Sequence, residues 1–293
     1  MVFEKRTVLL MLTLIILSMS LVHPVFSKET ESLLFAGPNV RTYATRIVKP
    51  VLDSSQGNST LSIFQKISDT LLDPTNGIGV NKLEPSDFFI YDILDNLKLG
   101  FFYALKFPSA KRQILLRWHD RYMQENRADV FFAPSADEII MARAAFGCTH
   151  YARAFIAVVK ALSLVKTPED LRYVISCKAD DYNRAMKTKD FKQTVNGHQF
   201  VLVRIDSEWI AINTSKGDSV VMPKDFAPDS YGPPKNIPIR FESYPGVVFL
   251  IRKISADFND DCGDDSLCAL MNISRSGDSQ NSDFLWRNYV HSE

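Results

Sequence analysis

The stretch that decides the fold is SADEIIMARAAFGCTHYARAFIAVVKALSL, residues 135–164. Ser135 and Glu138 have the spacing of a capping box, which predicts that one helix begins near Ala136. Gly147 then interrupts the helical pattern, and apolar residues recur at helical spacing after it. We therefore predict two helices, the second of which begins directly after the glycine.

Cys148 follows Gly147 and so is predicted to lie at the N-terminus of the second helix. The free backbone N–H groups and the positive end of the helix dipole stabilise a thiolate at such a position. The thiolate is the nucleophilic form of cysteine. Cys148 is therefore the candidate nucleophile of this chain.

A thiol nucleophile needs a base, and the base needs a group that orients it. The run GHQFVLVRIDSEWIAINTS, residues 197–215, has the pattern of an antiparallel hairpin, in which His198 opens the first strand and Asn213 closes the second. A two-residue turn at Asp206 and Ser207 puts Asn213 on the same face as His198 and diagonal to it. A turn one residue longer or shorter would reverse that facing.

In these stretches the sequence resembles the transglutaminase-like superfamily, whose members carry Cys, His and Asp in that order. The matching pieces lie between Ser135 and Ser215 and are FGCTHYARAFIAVVKALSL, RYVIS, GHQFVLVRI and EWIAINTS. The resemblance implies an α+β fold with a transglutaminase-like or papain-like core, in which the cysteine helix packs on an antiparallel sheet. It also implies Cys148 as nucleophile, His198 as general base and acid, and Asn213 as the orienting residue.

Asn213 departs from the aspartate that is usual in this family. A neutral amide accepts a hydrogen bond from imidazole, as in papain-like enzymes, but stabilises an imidazolium less than a carboxylate does. The resemblance thus implies catalysis through a Cys-His-Asn triad.

The activity implied by the resemblance is that of a secreted thiol enzyme that acts on amide bonds of a protein or peptide through a thioester acyl-enzyme, without a cofactor. We expect hydrolysis, as in a cysteine peptidase. Two alternatives stay open. One is a protein-glutamine gamma-glutamyltransferase or deamidase that uses the same three residues, and the other is a catalytically inactive secreted binding module of the same fold.

Three residues near the site are candidates for lining the pocket: Gly147, His150 and Trp209. His150 lies two positions after Cys148, and residues with this spacing do not face each other on a helix, so it is badly placed as a base. Cys148, His150 and His198 have no closely spaced fourth ligand, and we therefore expect no zinc site.

The charge balance gives no reason to expect a polyanionic partner. Lys and Arg total 34 and Asp and Glu total 34, so the 293 residues have no basic excess that would attract nucleic acid or an anionic membrane. The acidic segment 257–265 lacks the glycine and glutamate spacing of a calcium-binding loop, and we assign it no metal.

The N-terminus has the pattern of a secretory signal peptide. A short basic region precedes an apolar stretch from Val8 to Val22, and small residues follow it. We predict cleavage after Ser27, which makes residues 1–27 a signal peptide and the protein secreted or periplasmic, with no membrane contact after cleavage. An uncleaved N-terminal anchor is the alternative.

The chain has four cysteines. Cys262 and Cys268 are close enough in sequence to close a small disulfide loop, which leaves Cys148 and Cys177 free. A disulfide between Cys148 and Cys177 is the alternative, and it would remove the candidate nucleophile.

The remaining patterns divide the mature chain into three parts. Helix start signals and aromatic residues at helical spacing predict a helical N-terminal region over residues 28–130. Residues 131–256 are the predicted core, with further strands at Leu171–Ser176 and Val247–Ile254. Residues 257–293 are predicted to form an acidic, partly mobile tail.

Overall fold

The computed structural model describes residues 34–54, 59–81, 135–145, 147–188, 197–228 and 238–256. Four predictions lie outside these ranges: the signal peptide, the part of the helical region between residues 82 and 130, the acidic tail, and the disulfide between Cys262 and Cys268.

The described chain combines helices with one antiparallel sheet. Its helical segments are, in chain order, α1 Pro38–Tyr43, a π-helical turn Ala44–Val48, α2 Lys49–Asp53, α3 Thr60–Leu72, α4 Ala136–Ala142, α5 Cys148–Ala161, a 3-10 turn Pro168–Asp170, and α6 Ala179–Thr188. Its strands are β1 Leu171–Lys178, β2 Gly197–Ile205, β3 Glu208–Ile212, β4 Ser219–Val221, β5 Pro238–Ile239 and β6 Phe249–Ser255. None of the helices in the described ranges is long and apolar enough to cross a bilayer.

The six strands form one sheet in the order β4-β3-β2-β1-β6-β5, and every neighbouring pair is antiparallel. Helices α1 to α5 all precede the sheet in the chain. The predicted α+β class with a helical N-terminal region is therefore confirmed.

The start of α4 is the predicted capping box. The Oγ of Ser135 accepts the N–H of Glu138 at 3.3 Å, and the carboxylate of Glu138 accepts the N–H of Ser135 at 2.8 Å. Two backbone donors that lack an intrahelical partner are thus satisfied, so the helix begins at Ala136 as predicted. It ends at Arg143, whose backbone is left-handed with φ 49°.

Helix α5 begins at Cys148, with Gly147 as its N-cap, as the sequence predicts. Most of its length is buried, and the buried residues are Thr149, His150, Ala152, Arg153, Ala154, Phe155, Ile156, Ala157, Val158 and Val159. A helix that is covered nearly all round packs at the centre of a fold rather than on its surface. Helix α5 is therefore the central helix, and strands β1 and β2 and helices α1, α3 and α4 pack on it.

The sheet is covered on both faces. Along β2, the side chains of Val201 and Val203 join the core formed with the helices, here called the helix-side core. Phe200 and Leu202, one residue out of step, join a second core with the edge strands and loops, here called the far-side core. Successive residues of a strand point to opposite faces, so a shift of one position moves a side chain from one core to the other.

The hairpin has the predicted turn. Ile205 pairs with Glu208, which leaves Asp206 and Ser207 as the two turn residues. Asp206 has φ 52°, a left-handed conformation that aspartate tolerates better than most residues. The predicted register of the two strands is therefore confirmed.

Two strand boundaries differ from the prediction. The strand predicted to end at Ser176 continues to Lys178, so that Cys177 lies inside it, because Cys177 pairs with Gly197 on β2 and with Leu250 on β6. The last strand begins at Phe249, two residues later than predicted. Both shifts come from pairing with distant strands, which the local pattern does not contain.

Neither Cys148 nor Cys177 forms a disulfide bond in the structure. The alternative in which these two residues form a disulfide is therefore absent from the structure, and the candidate nucleophile is retained.

Thr149, in the first turn of α5, forms a hydrogen bond to Tyr173 on β1, and the loss of this bond should be measurable. The hydroxyls of Thr149 and Tyr173 lie 2.7 Å apart in a buried position. We expect Tyr173→Phe to lower the free energy of unfolding by about 1 kcal/mol, because the ring is kept and only the bond is lost. Urea denaturation of the two proteins measures the difference.

Thr149→Val removes the same bond from the helix side and keeps the shape of the side chain. Because both variants lose one shared bond, the double variant should be less destabilised than the sum of the singles. Simple additivity of the two losses would contradict a bond between these hydroxyls.

Candidate active site

The thiol of Cys148 is bound to Gln199. Cys148 Sγ donates to Gln199 Oε1 at 2.9 Å, and the backbone N–H of Gln199 donates to Sγ at 3.4 Å. The half-buried cysteine opens α5, where the helix dipole favours negative charge. The nucleophile candidate is thus held against β2, at the residue that directly follows His198.

His198 and Asn213 are brought together as the hairpin register predicts. The ring Nε2 of His198 lies 3.1 Å from Oδ1 of Asn213, and the two side chains are 3% and 0% exposed. The predicted contact between the base candidate and its orienting residue is therefore confirmed.

The structure does not connect Cys148 to His198 by a hydrogen bond within the described ranges. Neighbouring residues of a strand face opposite sides, and Gln199 is the one whose side chain meets the thiol. The ring of His198 packs instead among aromatic side chains of the far-side core: Phe249, Tyr244, Phe241 and Phe200, with ring centroids 4.8, 5.1, 5.9 and 6.3 Å away. The thiol is thus in contact with Gln199 rather than with the His198 ring, which the resemblance implies as its base.

The thiol nevertheless lies beside the backbone of His198, because the N–H it accepts belongs to the peptide group that follows this residue. The ring is bound to Asn213 through Nε2. Asn213 therefore engages Nε2 of the ring and not Nδ1.

Asn213 is held by loops as well as by its strand. Its Nδ2 donates to Asp218 Oδ1 and to Ser243 Oγ, both at 2.9 Å, and its Oδ1 accepts from Ser215 Oγ at 3.1 Å. Asp218 in turn accepts the backbone N–H and the hydroxyl of Ser243, each at 2.9 Å. The orienting amide is thus bonded on both its oxygen and its nitrogen.

Burial makes His198 a weak base. It lowers the pKa of the imidazole to about 4, since a buried ring resists protonation. The hydrogen bond to Asn213 and the charge of Asp218 act in the opposite direction, whereas Lys216 and Lys178 lower the pKa further. The ring is therefore neutral at pH 7.

The three candidates for pocket lining lie in different surroundings. Gly147 is half-buried directly beside Cys148. His150 is fully buried in α5 and therefore lies in the core rather than at a surface pocket. Burial and the charge of Arg153 hold the pKa of its ring well below the ordinary value.

Trp209 lies away from the thiol because its side chain belongs to the far-side core. The guanidinium of Arg172 lies 6.0 Å from the centre of its ring. The prediction that Trp209 lines the pocket of Cys148 does not fit this position, since α5 packs on the opposite face of the sheet.

Sequence reasoning missed Gln199, Asp218 and Ser243. The alternation along β2 could have indicated Gln199, because it shares the face of Val201 and Val203. Asp218 and Ser243 follow β3 and β5 in irregular segments, and no local pattern marks them. As for metals, the described ranges bring no three His, Cys, Asp or Glu residues close enough to hold an ion.

The depressed pKa of His198 predicts a loss of stability in acid. The pKa is about 4 in the folded protein and 6.5 in the reference state, so between these values the unfolded chain binds a proton that the folded chain does not. The free energy of unfolding should therefore fall as pH falls from about 6.5 to about 4. His198 should contribute roughly 2 kcal/mol of this loss by pH 5.

Urea midpoints at pH 7 and pH 5 test this, with His198→Phe as the comparison. Phenylalanine suits the aromatic surroundings and does not titrate, so the variant should lose less stability between the two pH values than the parent. His150 is present in both proteins and cancels in the difference. An identical pH dependence would contradict the depressed pKa of His198.

No family model matches the chain, and neither does any curated protein or solved structure. The function is therefore inferred from the chemistry of this chain's own residues.

Proposed function

We propose that the protein is a transglutaminase-like thiol enzyme that acts on amide bonds of a protein or peptide, as a cysteine peptidase or amide hydrolase. One observation carries the proposal. The thiol of Cys148, at the N-terminus of a buried helix, accepts the N–H next to His198, whose ring is oriented through Nε2 by Asn213. From the pattern of residues 1–27 we further propose that the enzyme acts outside the cytoplasm.

In the proposed reaction, His198 Nδ1 takes the thiol proton and Cys148 Sγ attacks the carbonyl carbon of the amide. The backbone N–H of Cys148, at the positive end of α5, stabilises the oxyanion of the tetrahedral intermediate. His198 then gives the proton to the leaving amine, and a thioester remains on Cys148. Water, deprotonated by the same ring, hydrolyses the thioester and restores the thiol.

The weak basicity of His198 decides when the proton moves. Transfer from an ordinary thiol, with a pKa of about 8.5, to a base with a pKa of about 4 costs roughly 6 kcal/mol. A thiolate–imidazolium pair is therefore not the resting state. We propose that the proton is transferred as Sγ attacks, after the thiol gives up its bond to Gln199 and turns toward the ring.

A second candidate is a catalytically inactive secreted binding module of the same fold. Two observations favour it: the thiol is engaged by Gln199, and the ring of His198 is only 3% exposed among aromatic side chains. In that case His198 and Asn213 are structural, and Cys148 is an ordinary residue at the start of a helix.

Acylation by an active ester separates the two candidates. We expect a p-nitrophenyl ester to release p-nitrophenol in a burst and to leave an acyl group on Cys148, which mass spectrometry locates. His198→Ala should slow the acylation on the order of 10²- to 10⁴-fold, the range contributed by a general base. Cys177 is a buried cysteine outside any disulfide, and it serves as an internal control that should stay unmodified.

Cys148→Ser is the matched control for the burst. If the parent shows no burst, or if acylation of Cys148 is indifferent to His198, the binding module is the better description.

The acyl acceptor distinguishes the kinds of enzyme. A glutamine-containing peptide is incubated with the full chain and a small primary amine. Peptide cleavage indicates a peptidase, release of ammonia without uptake of the amine indicates a deamidase, and uptake of the amine indicates a protein-glutamine gamma-glutamyltransferase. We expect hydrolysis, and uptake of the amine as the main product would contradict that expectation.

A further inference from the structure

The side-chain amide of Asn213 lies between an imidazole and a carboxylate. Its oxygen meets His198 Nε2 at 3.1 Å, and its nitrogen donates to Asp218 Oδ1 at 2.9 Å. An amide accepts hydrogen bonds at its oxygen and donates them at its nitrogen. Which end faces the ring therefore decides which ring nitrogen carries the proton.

The other two partners of this amide contact it through hydroxyl groups. The hydroxyl of Ser215 can donate or accept, whereas the hydroxyl of Ser243 gives its proton to Asp218 Oδ1 and therefore accepts from Nδ2 of Asn213. Asp218, as a carboxylate, only accepts, and its other oxygen is already bound to the backbone N–H of Ser243. Asp218 therefore requires the N–H end of Asn213 directly, and it also fixes the Ser243 hydroxyl as an acceptor for that same end.

We propose that Asp218 is a positioning residue that sets the tautomer of His198. It holds Nδ2 of Asn213, which turns Oδ1 toward the ring, places the ring proton on Nε2, and leaves the lone pair on Nδ1. The use of Nδ1 as the base for Cys148 rests on the proposed function, whereas the position of the proton does not.

The electrostatics of the site agree with this role. The buried ring is neutral at pH 7 and so carries one proton on one of its two nitrogens. The charge of Asp218 favours a positive ring, although the amide of Asn213 separates the two. Asp218 thus supplies, one residue further away, the negative charge that the family's usual aspartate would place directly on the imidazole.

Asp218→Asn tests the proposal. The backbone N–H of Ser243 can only donate, so the introduced amide should turn its oxygen there and its NH2 group toward Asn213. Asn213 should then flip, with Nδ2 facing the ring, and the ring proton should move from Nε2 to Nδ1. Long-range proton–nitrogen correlation spectra of the 15N-labelled full chain at pH 7 read this directly, because protonated and unprotonated ring nitrogens resonate in separate regions.

We expect the two ring-nitrogen shifts of His198 to exchange in Asp218→Asn. They should keep their parental positions in the matched control Ser215→Ala, which also removes a partner of Asn213. The proposal is overturned if the parent carries its proton on Nδ1, a result that needs no variant, or if Asp218→Asn keeps the proton on Nε2.

The double variant Asn213→Asp with Asp218→Asn exchanges the amide and the carboxylate. A carboxylate beside the ring only accepts, so the proton should return to Nε2, and a proton that stays on Nδ1 would contradict the mechanism of positioning. Acylation of Cys148 should fall on the order of 10²- to 10⁴-fold in Asp218→Asn, as for loss of the base. If the tautomer shifts as expected but the parent shows no acylation, the thiol-enzyme proposal fails and the role of Asp218 stands.

Discussion

The alternation of side chains along β2 is the constraint on which the candidate site depends. Gln199 faces α5 and binds the thiol of Cys148, while His198 faces the other core, where Asn213 holds its ring. The strand therefore lies between the thiol of Cys148 and the ring of His198. β2 begins at Gly197, so His198 is its second residue. The side chains of Cys148 and His198 are therefore separated by the end of a strand rather than by the middle of the sheet.

Burial among aromatic side chains explains why His198 is closely packed and weakly basic at once. The aromatic side chains around His198 fix the ring in place, but they also exclude the water that would stabilise its charged form. The resulting neutral ring suits proton transfer that accompanies bond formation and disfavours a standing ion pair. Because the neutral ring carries a single proton, the position of this proton decides which ring nitrogen donates a hydrogen bond and which accepts one.

The hydrogen-bond network behind the ring shows how an amide can take the place of a carboxylate. Asn213 alone can present either end to the ring, since oxygen and nitrogen have nearly the same shape. Asp218 removes that ambiguity by accepting from one end, and its position is set in turn by the backbone N–H of Ser243. Orientation of the His198 ring thus depends on an irregular segment that follows β5, far from the hairpin in sequence.

The sequence by itself determined the features that depend on neighbours in the chain: the capping box at Ser135, the helix start at Cys148, the hairpin turn, and through it the pairing of His198 with Asn213. These follow from local geometry, since caps, turns and the two-residue period of a strand act over a few residues. Only the tertiary structure decided that Gln199 meets the thiol, that His198 is buried among aromatic side chains, and that Asp218 supports Asn213. These contacts join segments distant in sequence, and their position depends on how α5 and the loops pack on the two faces of the sheet.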